Sequence, residues 1–187
     1  MNTPAPLLIT LGDPAGIGPE IVARAHLAGE LHDAVIVGEP AVFERGLRAC
    51  MAGDADAAAR AATLKPPAFI PGQVQGQALG QGHGLEHLPW GQVSAACGAY
   101  AARCLQDAVA LVRQGKGRAI VTAPIHKEAL SAAGIPFPGH TEMLQAWANP
   151  GGEPPPVRMM LANGELRVVL VTIHQSLRSA IEAITLD

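Results

Sequence analysis

The sequence predicts an α/β protein with a mixed, mostly parallel sheet, and three observations carry that prediction. Short β-branched runs alternate with helical stretches along most of the chain, the pattern that lays helices onto a parallel sheet. Apolar residues make up 49% of the 187 residues, while aromatics supply only 3%. Small and aliphatic side chains must therefore fill the core, which suits helix-on-sheet layers better than a β-sandwich. Late in the chain, Asn163-Gly164 lies between two apolar runs, the strongest short-range signal for an antiparallel hairpin.

Residues 7–11 read as the first strand, followed at once by Gly12-Asp13-Pro14-Ala15-Gly16-Ile17-Gly18-Pro19-Glu20. Pro19 and Glu20 suit the first turn of a helix, where proline's missing N–H costs nothing and a carboxylate complements the dipole. That helix runs to about Ala28 and stops at Gly29. Its glycine-rich entry is either a cradle for a phosphate or carboxylate or a tight βα turn that needs left-handed backbone. The spacing matches neither the dinucleotide fingerprint nor a P-loop. Residues 34–37 give a second strand and residues 41–52 a second helix. An alanine-rich, exposed helix spans 54–63, and 68–70 form a short strand. The stretch 71–90, rich in Gly and Gln and without periodicity, reads as a functional loop or irregular arm.

Residues 93–114 carry the strongest helical signal, with Ala96, Tyr100, Leu105, Ala108, Val109 and Val112 on the apolar stripe, Ser94 as the cap and Gly115 as the stop. Residues 119–122 follow as a buried strand, ended by Pro124, and polar groups crowd its exit: His126, Lys127, then His140, Thr141 and Glu142. Ligands of open α/β sheets bind just beyond the carboxyl ends of strands, so this is where chemistry is expected. The runs 157–161 and 166–172 form the hairpin, whose second strand empties into His174, and 175–184 restart as a helix.

Composition excludes several function classes. The formal net charge is −3, with no basic stripe for nucleic acid. No apolar stretch is long enough for a membrane span, and the N-terminus lacks the basic region of a signal peptide. The three cysteines, Cys50, Cys97 and Cys104, form no CxxC pair and read as reduced core residues of a cytoplasmic protein.

Among the histidines, His26 and His32 lie near a helix end and carry little functional weight. His83 and His87 have metal-pair spacing, but the flanking Gly82 and Gly84 oppose the helix that such a pair needs. His140 and His174 each follow a predicted strand, so their loops are candidates to converge on one pocket as metal, proton or phosphate ligands. Lys127 is a candidate anion-binding or catalytic group, and Gly12, Asp13, Gly16 and Gly18 are the cofactor-binding candidates. From the residues alone, the reading is an α/β enzyme for a small anionic ligand.

Four motifs sharpen it: GDPAGIGPEI at 12–21, VTAPIHKEAL at 121–130, GHTEML at 139–144 and VTIHQSLR at 171–178, with AGIPF at 133–137 and MML at 159–161 in support. Together they resemble the 4-hydroxythreonine-4-phosphate dehydrogenase (PdxA) family. The resemblance implies an isocitrate/isopropylmalate-dehydrogenase-like α/β/α fold, truncated here to an N-terminal portion over residues 1–187. It implies a homodimer with its active site near the interface. The reaction implied is NAD- or NADP-dependent, metal-assisted oxidation of 4-phosphohydroxy-L-threonine at its C3 hydroxyl, then decarboxylation to 3-amino-2-oxopropyl phosphate in vitamin B6 biosynthesis. By the same resemblance His140 and Thr141 bind the substrate, and His174 is one of three histidines holding a divalent metal such as Zn, Mg or Co. The other two, with further substrate-binding Lys, Asn and Arg residues, belong to the part of the family's chain after the position of Asp187. The alternatives are a paralogue acting on threonate 4-phosphate or a cyclic diol, and a non-catalytic remnant.

Overall fold

The computed structural model describes residues 4–70, 73–74, 77–78 and 84–185. In chain order the first elements are β1 (Leu7–Thr10), α1 (Gly18–Leu27), β2 (Ala34–Val37), α2 (Pro40–Met51), α3 (Ala55–Thr63), β3 (Ala68–Ile70), β4 (Gln73–Val74) and β5 (Gln77–Ala78). A 3-10 turn at Leu85–His87 leads to α4 (Ala95–Arg113), β6 (Ala119–Thr122), α5 (Lys127–Ala132) and α6 (His140–Ala148). Then come β7 (Met160–Ala162), β8 (Arg167–Val169) and α7 (Leu177–Ala183). The expected arm over 71–90 thus holds the minimal β4–β5 ladder and the 3-10 turn, and residues 71–72, 75–76 and 79–83, His83 among them, lie outside the described residues.

Four strands make one parallel sheet in the order β3-β2-β1-β6. Side chains alternate across a strand, and both faces are covered. Leu8, Val35, Val37 and Ile120 pack with Ala108, Leu111 and Val112 of α4. On the other face Ile9 and Ile36 join Val22, Ala23 and Leu27 of α1 and Val42 and Phe43 of α2. The result is the expected α/β/α layering. At the amino ends of the strands Arg118 donates to Asp33 and, at 2.7 Å, to the Ala5 carbonyl.

The strongest helical signal is realised as α4. Ser94 Oγ accepts from the Cys97 N–H at 3.2 Å, and Gly115 ends the helix with φ 73°. Gly98 is required for packing, because a Cβ there would overlap the Ala129 carbonyl of α5. Ala96, assigned to the buried stripe from its spacing, is exposed, since the first turn of α4 overhangs the core. All three cysteines are buried and free, and desolvation pushes the Cys104 thiol up to about 12, as expected of inert core residues.

Two expectations need correction. Residues 119–122 form a strand, but not a buried one: β6 is an edge strand, with Val121 48% exposed. The α1–α2 layer that covers Ile9 does not extend over Val121, its partner in the register. The antiparallel pair also forms, but as its own two-stranded sheet β7–β8, apart from the four parallel strands. Asn163 makes the turn, its Oδ1 accepting from the Glu165 and Leu166 N–H groups, each at 2.8 Å. α7 begins behind Ser176, whose Oγ caps the Ser179 N–H at 3.2 Å, slightly later than the pattern placed it. From 151 to 185 only Pro155, Leu170, Thr172 and Ala180 are even half-buried.

Candidate functional site

The chain walks outward from β1 to β2 to β3, then returns to the other side of β1 as β6. That reversal is a topological switch point, and ligands of open parallel sheets bind outside the carboxyl ends of the two diverging strands. Here those ends are the 12–18 turn after β1 and the 123–127 segment after β6. The two are knitted together: the Asp13 N–H donates to the Pro124 carbonyl at 2.9 Å, and the Ala123 N–H to the Thr10 carbonyl at 3.3 Å.

The glycine-rich turn is shaped mainly by the protein's own packing. Gly12 has φ 66°, and a Cβ there would overlap the Pro124 carbonyl oxygen; at Gly18 it would overlap that of Leu11. Asp13 is 7% exposed, and its Oδ1 accepts from the Ala15 N–H at 2.8 Å, while the Gly16 N–H donates to the Asp13 carbonyl at 3.1 Å. The N–H groups of Asp13, Ala15 and Gly16 are therefore committed inside the turn. What faces outward is the start of α1, where the exposed Ile17 takes the N-cap position without a side-chain cap, and where the first N–H groups have no intrahelical partners. Of the two readings left open by the sequence, the tight turn explains Gly12 and Gly18.

On the β6 side His126 and Lys127 are exposed, with Lys127 the first residue of α5. His140 and Thr141 are half-buried and open α6, a helix the sequence reading did not mark. Met143 anchors α6 against Leu130 of α5 and Leu105 of α4, in the same cluster as Ile120 of β6 and Ile125 of its exit. Burial lowers the affinity of the His140 imidazole for a proton, so it is neutral at neutral pH and can both donate and accept one hydrogen bond. The Thr141 hydroxyl and the orphan N–H groups of the first helical turn stand beside it. This is a ready grip for hydroxyl, carboxylate or phosphate oxygens.

His174 follows the β7–β8 hairpin as the sequence pattern placed it, but that hairpin is not part of the main sheet. It is exposed and has φ 55°. Among the described residues no group of three or more His, Cys, Asp or Glu side chains could hold a metal. The described part of the chain does not by itself fit the implied metal. His26 is a core histidine, edge-on to Phe43 at 5.7 Å with its affinity for a proton lowered by burial. A cleft of about 540 Å³ beside His26, His32 and Lys65 lies at the amino ends of β2 and β3, where Ala34 and Ala68 line it. It is remote from the switch point.

Sequence reasoning missed Arg45. This side chain is buried in α2, donating through Nη1 to the Leu85 carbonyl at 2.8 Å and through Nη2 to that of Leu88. Its guanidinium lies 3.6 Å from the centroid of the Trp90 ring. The available signal was its position three residues after Val42, on the stripe formed by Val42, Gly46 and Cys50.

Comparison with known proteins gives a consistent picture. The family model described as pyridoxal phosphate biosynthetic protein PdxA matches residues 30–187. A 4-hydroxythreonine-4-phosphate dehydrogenase from Beijerinckia indica is 47% identical over 178 residues, which cover 94% of this chain and 50% of that protein. A D-threonate 4-phosphate dehydrogenase from Bordetella bronchiseptica is 39% identical over 186 residues, covering 94% and 49%. The crystal structure of 4-hydroxythreonine-4-phosphate dehydrogenase from Klebsiella pneumoniae superposes with TM-score 0.71 at 32% identity, over 97% of this chain and 54% of that one. The chain spans about half the length of the curated relatives it matches.

Proposed function

The chain belongs to the PdxA family, and from that premise we propose that it supplies the substrate-gripping wall of a dehydrogenase acting on a small phosphorylated hydroxy acid. The substrate proposed is 4-phosphohydroxy-L-threonine, oxidised at its C3 hydroxyl by NAD or NADP, with decarboxylation to 3-amino-2-oxopropyl phosphate. The observation that carries the reading is the α6 start, where a half-buried neutral imidazole and a hydroxyl, His140 and Thr141, stand in the cluster that anchors the β6 exit.

In this reading His140 and Thr141 bind and orient the substrate. Lys127, an exposed cation at the start of α5, attracts its anionic groups. Gly12, Asp13, Gly16 and Gly18 act on the cofactor side by shaping the turn that presents α1, rather than by touching the cofactor. The nicotinamide, when bound, accepts the hydride; orientation is the protein's contribution. His174 is proposed as one ligand of a divalent metal, the remaining ligands coming from outside the described residues. A homodimer in the cytoplasm completes the proposal. D-threonate 4-phosphate is the second substrate reading, supported by the Bordetella relative, and it uses the same grip.

The test is nicotinamide reduction by the purified chain, alone and as part of a longer reading frame. The panel is 4-phosphohydroxy-L-threonine, D-threonate 4-phosphate and a cyclic diol, each with Zn, Mg or Co. His140→Ala is expected to lower kcat/KM about 10- to 100-fold, the loss of one hydrogen bond to a charged group. Unchanged kinetics in both His140→Ala and Thr141→Ala would overturn the assignment. Turnover by the 187-residue chain alone would show that half the relatives' length suffices.

A further inference from the structure

Residues 84–91 run beside the glycine-rich turn, and the structure ties them down at three kinds of contact. Leu85 is buried in the core and Leu88 packs on Ala15, Cys97 and Ala129. The Gly91 N–H donates to the Ala15 carbonyl at 2.7 Å, which joins this segment directly to the 12–18 turn. The third tie is polar and comes from across the fold. Arg45 reaches out of α2 to the carbonyls of Leu85 and Leu88, and Trp90 lies over its guanidinium.

The chemistry explains why an arginine stands there. Within the 3-10 turn the Leu85 carbonyl accepts only a long bond, from the Leu88 N–H at 3.4 Å, and the Leu88 carbonyl lies past the turn's end. Only a guanidinium presents donors in a fixed fork able to take two separated carbonyls while an aromatic face covers it. Its base is rigid. Gly46, the next residue, lets α2 lie so close to α1 that a Cβ there would overlap the Pro19 carbonyl, and Pro19 is in the first turn of α1, directly after the glycine-rich entry. Arg45 is thus fixed relative to one side of the switch-point crevice and holds the segment that borders it.

We infer that Arg45 is a positioning residue: it clamps residues 84–91 onto the 12–18 turn and so fixes one wall of the crevice at the ends of β1 and β6. The clamp acts through Leu85 and Leu88 on the segment and through Gly91 on Ala15. It sets the crevice shape before any ligand arrives, so the inference does not depend on which substrate the family member takes.

Hydrogen exchange of the full chain, read amide by amide, tests it without ligand or turnover. Arg45→Met keeps the apolar stem and removes the fork. Its expected effect is at least a tenfold rise in exchange at Gly91 and at the Ala15 and Gly16 amides, with α1 and α2 still protected. Arg45→Lys, which retains the charge and one donor direction, is expected to fall between. In a Trp147→Phe background, where Trp90 is the remaining tryptophan, Arg45→Met is also expected to raise acrylamide quenching of its emission. Three outcomes overturn the clamp. Exchange could be unchanged at Gly91, meaning that the apolar anchors hold the segment alone. Gly91 could loosen while Ala15 and Gly16 do not, meaning that the segment and the turn are uncoupled. Protection could collapse throughout α1 and α2, meaning that Arg45 serves general stability. Trp90→Ala separates the ring from the fork, and loosening larger than that of Arg45→Met would place the holding force in the ring instead.

Discussion

The packed unit through α6 and the 151–185 arm contrast sharply, although both carry secondary structure from clear local signals. Ser94 caps α4 and Ser176 caps α7 in the same way, each hydroxyl accepting a backbone N–H at 3.2 Å. Yet α4 buries Tyr100, Cys104, Leu105 and Ala108 almost completely, while Leu177 and Ile181 of α7 are 78% and 66% exposed. Local chemistry starts a helix; only an apposed apolar surface gives it most of its stability. The difference divides the functional residues too. His140 and Thr141 sit on a helix fixed by Met143 and Leu130, whereas His174 sits on an arm that its own chain leaves uncovered.

The sharpest test of this contrast removes the same atoms from each region. Leu130 is fully buried where α4, α5 and α6 meet, so Leu130→Ala is expected to lower unfolding free energy by about 2–5 kcal/mol in urea titrations. Leu177→Ala is expected to stay within about 0.5 kcal/mol. Comparable losses at both sites would mean that the arm is packed in solution. The caps give a smaller version. Ser94→Ala is expected to cost about 1 kcal/mol, and Ser176→Ala to leave the melting transition of the α/β unit where it was.

The smallest effect is that of pH. Burial holds the imidazoles of His26 and His140 below their ordinary value of 6.5. Between those lowered values and 6.5 the unfolded chain binds more protons than the folded one, so stability rises with pH across the window and is lost as pH falls through it. Thermal melts should therefore shift downward on acidification below about 6.5. A His26→Gln/His140→Gln variant should lose part of that slope, and removal of 151–187 should not. An acid slope that vanished with the arm instead would place the responsible groups there.

Much of the fold was legible because its signals are local. The β1 strand, the glycine stop after α1, the Ser94 cap and the Asn163-Gly164 turn are each decided by a few neighbouring residues, and each is realised. β6 was legible as a strand but not as an edge, because exposure depends on which neighbour pairs with it and which helices cover it. α6 was missed because its start, Gly139-His140-Thr141, has no side-chain cap, and its anchor Met143 is held by residues from α4 and α5. At the site, the residue types at the β6 exit were readable as chemistry. Arg45 was not, because its meaning lies in two carbonyls about forty residues away.

By itself the sequence determined the α/β class, the position of the polar strand exits and, through its motifs, the family. Those depend on periodicity, turn residues and the order of side chains along one chain. Only the tertiary structure decided that β1 and β6 form the switch point, and that Gly12 and Gly18 make room for backbone. It alone showed that His140 opens a half-buried helix start, where burial lowers its affinity for a proton, and that the hairpin carrying His174 stands apart from the sheet. These are properties of which surfaces meet, and desolvation, close approach and register arise when distant segments come together.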